Sequence, residues 1–326
     1  MAVAVAPDAV GATSKSTEIK ADFVLNPNVP TFVTPGDEFE VSVSFANTRE
    51  KSTRITLTLN VSEGIEIIGI VRKDKESSIT FGTPIISHDL SEKHLVPRLR
   101  GCSVLLHLIG KCKQTVDSDY EKINVCLTKK ATNLCKKAGI KRIIYISGLG
   151  VHKGTTFGYF ISKYKAEQEI IRSGLNYTIF RASYIIGKGD PLSQILSKQI
   201  KNGIIIIAGS GKYRLQPISV NDVAQVFLQA IMNKNFSNKI IDLVGPKTIT
   251  YNCFVRDLSR GKNVKIKKIS LEAAYRNALR NSKSVFGIDD LNILIGDYVG
   301  NHKILQKISG IKFKTYKEIL KTSGLS

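Results

Sequence analysis

The sequence predicts an α/β protein built on a parallel sheet, preceded by a separate all-β segment. Residues 141–181 carry the first part of that prediction. An apolar run at 143–146 stops at Ser147, a glycine-containing loop follows, a helical segment carries Tyr159 and Lys163, and a β-rich run at 177–180 closes the unit. Strand, loop, helix, strand is the pattern of a parallel sheet with crossover helices. The second part is the period-two alternation of the first 65 residues, which marks strands with one wet face. Charge separates the two. Residues 1–65 hold 5 Lys+Arg and 8 Asp+Glu, whereas the rest holds 43 against 19.

Taken in order, ADFVL (21–25) reads as an early strand, PGD (35–37) as a turn, and EFEVSVSF (38–45) and RITLTLN (54–60) as alternating strands. Residues 65–71 form a strand-like run ending at Arg72. Residues 120–138 read as an amphipathic helix with Ile123, Leu127, Leu134 and Ala138 on one stripe, ended by Gly139. GIIIIA (203–208) has the length of a strand, not of a membrane span. Asn221 reads as an N-cap before a helix striped by Val223, Val226, Phe227, Ala230 and Ile231. Residues 239–244 read as a further strand, and helices dominate from Tyr251 on. The expected organisation is a β-rich segment at 1–65, a nucleotide-binding domain at 66–245 and a mostly helical lobe for substrate or partner at 246–326.

The chemistry concentrates around one strand end. Tyr159 and Lys163 are four apart and share a helix face. Ser147 falls at the carboxyl end of its strand, where open α/β sheets bind ligands. A tyrosine hydroxyl becomes a usable acid or base when a nearby cation favours the phenolate, and a serine hydroxyl positions a carbonyl or alcohol oxygen. The competing reading is that Tyr-x-x-x-Lys arises by chance in a helix and that serine often ends a strand.

The net charge of +21 comes mostly from scattered lysines without a nucleic-acid motif. A solvated basic surface, with some affinity for phosphates, an anionic membrane surface or an acidic partner, is the expected account. Five cysteines without a Cys-x-x-Cys pair read as reduced, buried thiols of a cytoplasmic protein. The histidines show no metal-ligand spacing. No signal peptide or membrane span is legible.

The motifs IYISGLG (144–150), YFISKYKAE (159–167), YTIFR (177–181), QPISVNDVA (216–224) and IDDL (288–291) resemble, in this order, the atypical or extended short-chain dehydrogenase/reductases. Within them the chain is most similar to the epimerase-like group that includes the nucleotide-binding accessory subunit of respiratory complex I. The resemblance implies a Rossmann-like doubly wound sheet and an NAD or NADP cofactor. It also implies a catalytic trio of Ser147, Tyr159 and Lys163. Tyr159 transfers the proton, Lys163 is its electrostatic partner and Ser147 positions the oxygen. Arg72 ends the second strand, where a basic residue favours the 2′-phosphate of NADP. Asp89 lies beside the adenine. His107 and Gly110, in VLLHLIG (104–110), line the cofactor cleft, with Asn124 near the active site and Arg181 and Ile185 toward the nicotinamide. Asp89 as a loop residue, His107 as a packed core histidine and Arg72 as plain surface compete with those roles. A respiratory complex or a membrane surface is the implied partner, with an unidentified small-molecule substrate.

The family opens with a strand, a Gly-rich turn and a helix whose amino end holds the pyrophosphate. Nothing before Arg72 supplies that unit. In its place VAVAPD (3–8) and DFVLNPNVPTFVTPGDEFEVSV (22–43) resemble part of a macroglobulin β-domain of bacterial α2-macroglobulins. Loss of the turn predicts impaired dinucleotide binding, which leaves a non-catalytic binding or assembly protein as the alternative to an oxidoreductase or epimerase.

Overall fold

The computed structural model describes residues 67–71, 83–87, 89–113, 119–187, 190–280 and 284–322, with the backbone of four strands before residue 48. Contacts divide the chain into two units, Met1–Ser91 and Glu92–Ser326.

In the first unit β1 (Ala2–Ala6) pairs antiparallel with β2 (Ala9–Thr13), and β3 (Phe23–Asn28) with β4 (Ser42–Asn47). The described parts of the strand read at 21–25 and of the alternating run at 38–45 thus fall on one antiparallel ladder, with Phe23 opposite Asn47. β5 (Ile68–Val71) and β6 (Thr83–Ile86) pair in parallel, Ile70 beside Ile85. The turn at 35–37, the run at 54–60 and Arg72 lie outside the described residues.

The second unit begins with α1 (Glu92–Leu99), β7 (Val104–His107), a π-helical turn (Glu121–Cys126) and α2 (Leu127–Ala138). β8 (Arg142–Gly148), α3 (Gly158–Arg172), β9 (Asn176–Ala182), β10 (Ile185–Ile186), α4 (Pro191–Lys201) and β11 (Ile204–Ala208) follow. Then come β12 (Arg214–Leu215), β13 (Ile218–Ser219), α5 (Val220–Met232), β14 (Lys239–Leu243), β15 (Ile249–Thr250) and α6 (Tyr251–Leu258). The unit ends with β16 (Lys265–Ile269), α7 (Leu271–Arg280), α8 (Ile288–Leu294), α9 (His302–Ser309) and α10 (Tyr316–Thr322).

Its main sheet runs β14-β9-β8-β7, every pair parallel. Helices cover both faces, so the strands read as near-continuous apolar runs. On one face Ile143, Tyr145 and Ile179 pack against Ala166 and Ile170 of α3. On the other, Ile144, Phe180 and Ile241 pack against Val223, Val226 and Phe227 of α5. This is the doubly wound Rossmann-like architecture that the motifs imply. Among the described residues β7 is an edge strand, with β8 as its one partner in the sheet.

Several expectations change in detail. The helix read as continuous over 120–138 starts with the π turn. The extra residue shifts the phase, so Asn124, Val125, Thr128, Ala131 and Leu134 are buried while Ile123 and Leu127 are only half-buried. The N-cap of α5 is Ser219, whose side chain accepts from the Asn221 amide, and not Asn221. The C-terminal region contains a strand, β16, that pairs in parallel with β11. Its core accordingly mixes residues from both sides of 245, among them Leu196, Ile205 and Ile207 with Phe254, Leu291 and Tyr316. Of the five cysteines only Cys135 is buried. Cys112 and Cys126 are exposed, because one lies on a loop and the other on the outer side of the π turn.

Candidate functional site

The carboxyl end of β8 delivers Ser147 and Gly148, and the first turns of α3 deliver Tyr159 and Lys163. The loop Thr155–Phe157 bends the chain back so that α3 packs its Phe160, Lys163 and Glu167 side inward. Ser147 is 2% exposed and its Oγ has no hydrogen-bond partner. Tyr159 crowds the next residue. A Cβ built on Gly148 would lie 3.3 Å from its Cε1 and 3.4 Å from its hydroxyl, so glycine is what lets the ring approach the strand end.

Lys163 is buried and donates from Nζ to the Ile146 carbonyl at 2.9 Å and to the Tyr145 hydroxyl at 3.0 Å. The ammonium also stands 4.6 Å from the centre of the Tyr145 ring. Burial pulls its pKa down to about 8, against the opposing pull of Glu167 and Cys112. Gly110 completes this corner, since a Cβ there would lie 2.8 Å from the lysine Nζ. Burial pushes the Tyr159 phenol above its usual value, with a smaller contribution from Cys112, so the hydroxyl is held protonated at neutral pH. The phenolate-favouring cation expected from sequence is present on the same helix, but two of its three donors go to Tyr145 and Ile146 of β8.

Asn124 is fully buried within the π turn and acts as a clamp. Its Oδ1 accepts from the Lys111 amide at 2.7 Å, and its Nδ2 donates to the Lys111 carbonyl at 2.9 Å and to Ser162 Oγ at 2.8 Å. Ser162 in turn donates to the Tyr159 carbonyl. The Asn124 carbonyl accepts from Thr128 Oγ1, whose oxygen lies 2.9 Å from His107 Nε2. Thr128 has one proton and gives it to Asn124, so His107 must donate from Nε2. That histidine stacks on Tyr145, is 3% exposed, and has its pKa lowered to about 3 by burial and then by Lys163. A single network of mostly buried groups thus ties the β7 loop to α3, the helix of Tyr159 and Lys163.

Arg181 stands beside Ser147 in the β8–β9 register, yet its Nε and Nη2 grip both oxygens of Glu167 at 3.0 and 2.7 Å. Ile185, half-buried on β10, packs against the α5-side core. Asp89 is exposed and belongs to the Met1–Ser91 unit, and Arg72 lies outside the described residues. Six of the expected positions (Ser147, Tyr159, Lys163, Gly110, Asn124 and His107) therefore meet around one strand end, and Arg181 is joined to them through Glu167 on the helix of Lys163. Tyr145, Glu167, Thr128, Ser162 and Cys112 were not singled out from sequence. For Glu167 the signal was available, since it follows Lys163 by four residues.

Next to this corner, an open cleft of about 220 Å³ lies between the loop after β8, with Gly150, His152 and Thr155, and the segment Gly296, Asp297 and Tyr298. Tyr159 reaches it through Phe160, which contacts Tyr298. Among the described residues there is no cluster of His, Cys, Asp or Glu able to hold a metal ion.

A family model described as NAD(P)H-binding matches residues 53–234, and one for the alpha-2-macroglobulin family matches residues 1–59. The mitochondrial NADH dehydrogenase (ubiquinone) 1 alpha subcomplex subunit 9 of Arabidopsis thaliana is 26% identical over 212 residues, covering 60% of this chain and 53% of that protein. An alpha-2-macroglobulin homolog of Yersinia pestis is 38% identical over 73 residues, 21% of this chain and 4% of its own length. The chain thus spans about half of the first relative and a small fraction of the second. Among solved structures, MoeE5 in complex with UDP-glucuronic acid and NAD aligns with a TM-score of 0.61 at 18% identity, over 79% of this chain and 89% of that one, a likeness of fold.

Proposed function

The chain belongs to the NAD(P)H-binding family, and from that premise we propose that it binds a nicotinamide dinucleotide where β7, β8 and β9 end and acts as an oxidoreductase or epimerase of short-chain dehydrogenase/reductase type. The observation that carries this reading is the buried, unpartnered Ser147 hydroxyl beside the Tyr159 ring, in the corner that Lys163 closes. A buried hydroxyl without a partner is costly in a purely structural position. A substrate oxygen would satisfy it.

Gly110 has no Cβ to crowd the Lys163 Nζ, so the cation can stand at the strand ends where the nicotinamide end of such a cofactor would lie. A preference for NADP rests on Arg72. The bound dinucleotide would supply the hydride acceptor or donor. Ser147 would hold the substrate oxygen, Tyr159 would exchange a proton with it, and Lys163 would add positive charge. A phenol held protonated suits donation to a developing alkoxide, so carbonyl reduction is the direction favoured near neutral pH. The substrate would enter from the cleft at Gly150 and Tyr298.

A second reading has its own support. Lys163 gives two of its three donors to Tyr145 and Ile146, and the Tyr159 phenol is raised. A non-catalytic nucleotide-binding or assembly protein would look like this, and a relative named as an NADH dehydrogenase (ubiquinone) subunit agrees with it. The partner would then be a respiratory complex or a membrane surface. No helix among the described residues is long and apolar enough to cross a membrane.

Titration of the full chain with NADPH and NADH, followed by nicotinamide fluorescence, tests both. Binding with a turnover that disappears in Tyr159→Phe supports the enzyme. Binding without turnover across carbonyl substrates favours the second reading. A folded sample that binds neither cofactor overturns the enzyme reading and leaves the assembly role, which co-purification with respiratory subunits then tests.

A further inference from the structure

We propose that the amino-terminal end of the parallel sheet carries a separate oxyanion site built on Arg142. Arg142 opens β8 and is 9% exposed. Ser147 lies five residues further on, roughly 16 Å away at strand rise. The Arg142 Nη2 donates to Thr178 Oγ1 at 3.2 Å, and its Nε is buried without any partner. Thr178 gives its own proton to the Phe236 carbonyl at 2.8 Å, so it offers the guanidinium a dipole and no charge. Among the described residues no carboxylate pairs with Arg142, and burial alone perturbs it. A buried cation without a counter-charge is costly, and such charges are ordinarily paired.

The register assembles more around it. Arg142 pairs with Asn176, and Thr178 pairs with Lys239, so all four side chains project from one face of the sheet. Lys239 is exposed and adds a second cation at the rim. Asn176 Nδ2 donates to Ser237 Oγ at 3.1 Å, whereas its Oδ1 is buried and unpartnered. The two amide atoms differ only by assignment, and the turned amide would offer an unpartnered N–H donor in place of the oxygen while still bonding Ser237. The unpartnered Nε and the Nη2 of Arg142, whose one bond is the 3.2 Å contact to Thr178, form the side of a guanidinium that binds two oxygens of a carboxylate or phosphoryl group. The ligand class is therefore a small oxyanion or an anionic group of that shape on a larger molecule.

Thermal unfolding of the full chain at constant ionic strength, in chloride against inorganic phosphate or acetate, tests the site. Phosphate about tenfold above its Kd should raise the wild-type Tm by about 2–4 °C. The rise should vanish in Arg142→Met and shrink in Lys239→Gln, an exposed change that leaves the core alone. A parallel rise in acetate extends the site to carboxylates, and a rise in phosphate alone confines it to phosphoryl groups. General salt stabilisation would act equally on all three proteins. A wild type that does not respond, or a response retained in full by Lys239→Gln and Arg142→Met, overturns the proposal. The cofactor corner is intact in both variants, so loss of NADPH binding and loss of the phosphate response are separable results.

Discussion

The guanidinium of Arg181 grips both carboxylate oxygens of Glu167, joining the strand that flanks Ser147 to the helix that carries Lys163. The pair is asymmetric. Glu167 is fully buried, while the Arg181 side chain keeps 24% of its surface exposed. Removing the arginine strands a carboxylate with no route to water, whereas removing the carboxylate leaves a cation that reaches solvent. Arg181→Met should therefore cost more stability than Glu167→Gln, on the order of 3–5 against about 2 kcal/mol. The double variant should recover much of the larger loss. Urea denaturation of the three proteins decides this, and equal losses would contradict it.

Lys163 is held at about 8 by burial, against an ordinary value of 10.5. Between those two pH values the unfolded chain binds the proton more readily than the folded one, so stability from this group rises with pH. Burial penalises the ammonium fully below pH 8. The stability difference between wild type and Lys163→Met should hence shift in favour of wild type by a few kcal/mol from pH 7.5 to 10. Comparing the two proteins cancels the opposite trend of the raised tyrosines. A difference flat with pH would show that Lys163 titrates as an exposed lysine.

The local part of the site was legible because helix spacing and strand ends are local signals. Ser147, Tyr159 and Lys163 needed only a stop after an apolar run and a separation of four residues. The network behind them depends on cross-strand register and on helix phase. Tyr145 reads as one more apolar strand residue until β7 sets His107 beside it. Asn124 was placed by resemblance, but no sequence signal announced the π turn that points it inward. The lysine-rich KIKKI of β16 falls where helices were expected to dominate, yet lysine is a common occupant of an exposed strand edge. Backbone pairing with β11 decided the matter.

His107 gives an acid-side prediction. Its folded pKa is lowered to about 3 from 6.5, so the unfolded chain binds the extra proton between those values and stability falls as pH drops through them. His107→Gln removes the titrating group and keeps a side chain able to donate to Thr128. The acid unfolding midpoint should move to lower pH by about half a unit or more, read by circular dichroism from pH 7 to 3. An unchanged midpoint would mean that another group governs acid unfolding.

Ser147→Ala separates a site residue from a structural one. A structural serine at a strand end has a partner, and its loss costs about 1 kcal/mol. Here the hydroxyl is buried and has none, so the alanine variant should match the wild type or exceed it by up to about 1 kcal/mol in urea denaturation. Any carbonyl reduction by the wild type should meanwhile fall at least about 100-fold in kcat/KM, because the substrate oxygen loses its positioning donor. A destabilised variant with full turnover would reverse both halves of the argument and return Ser147 to the scaffold.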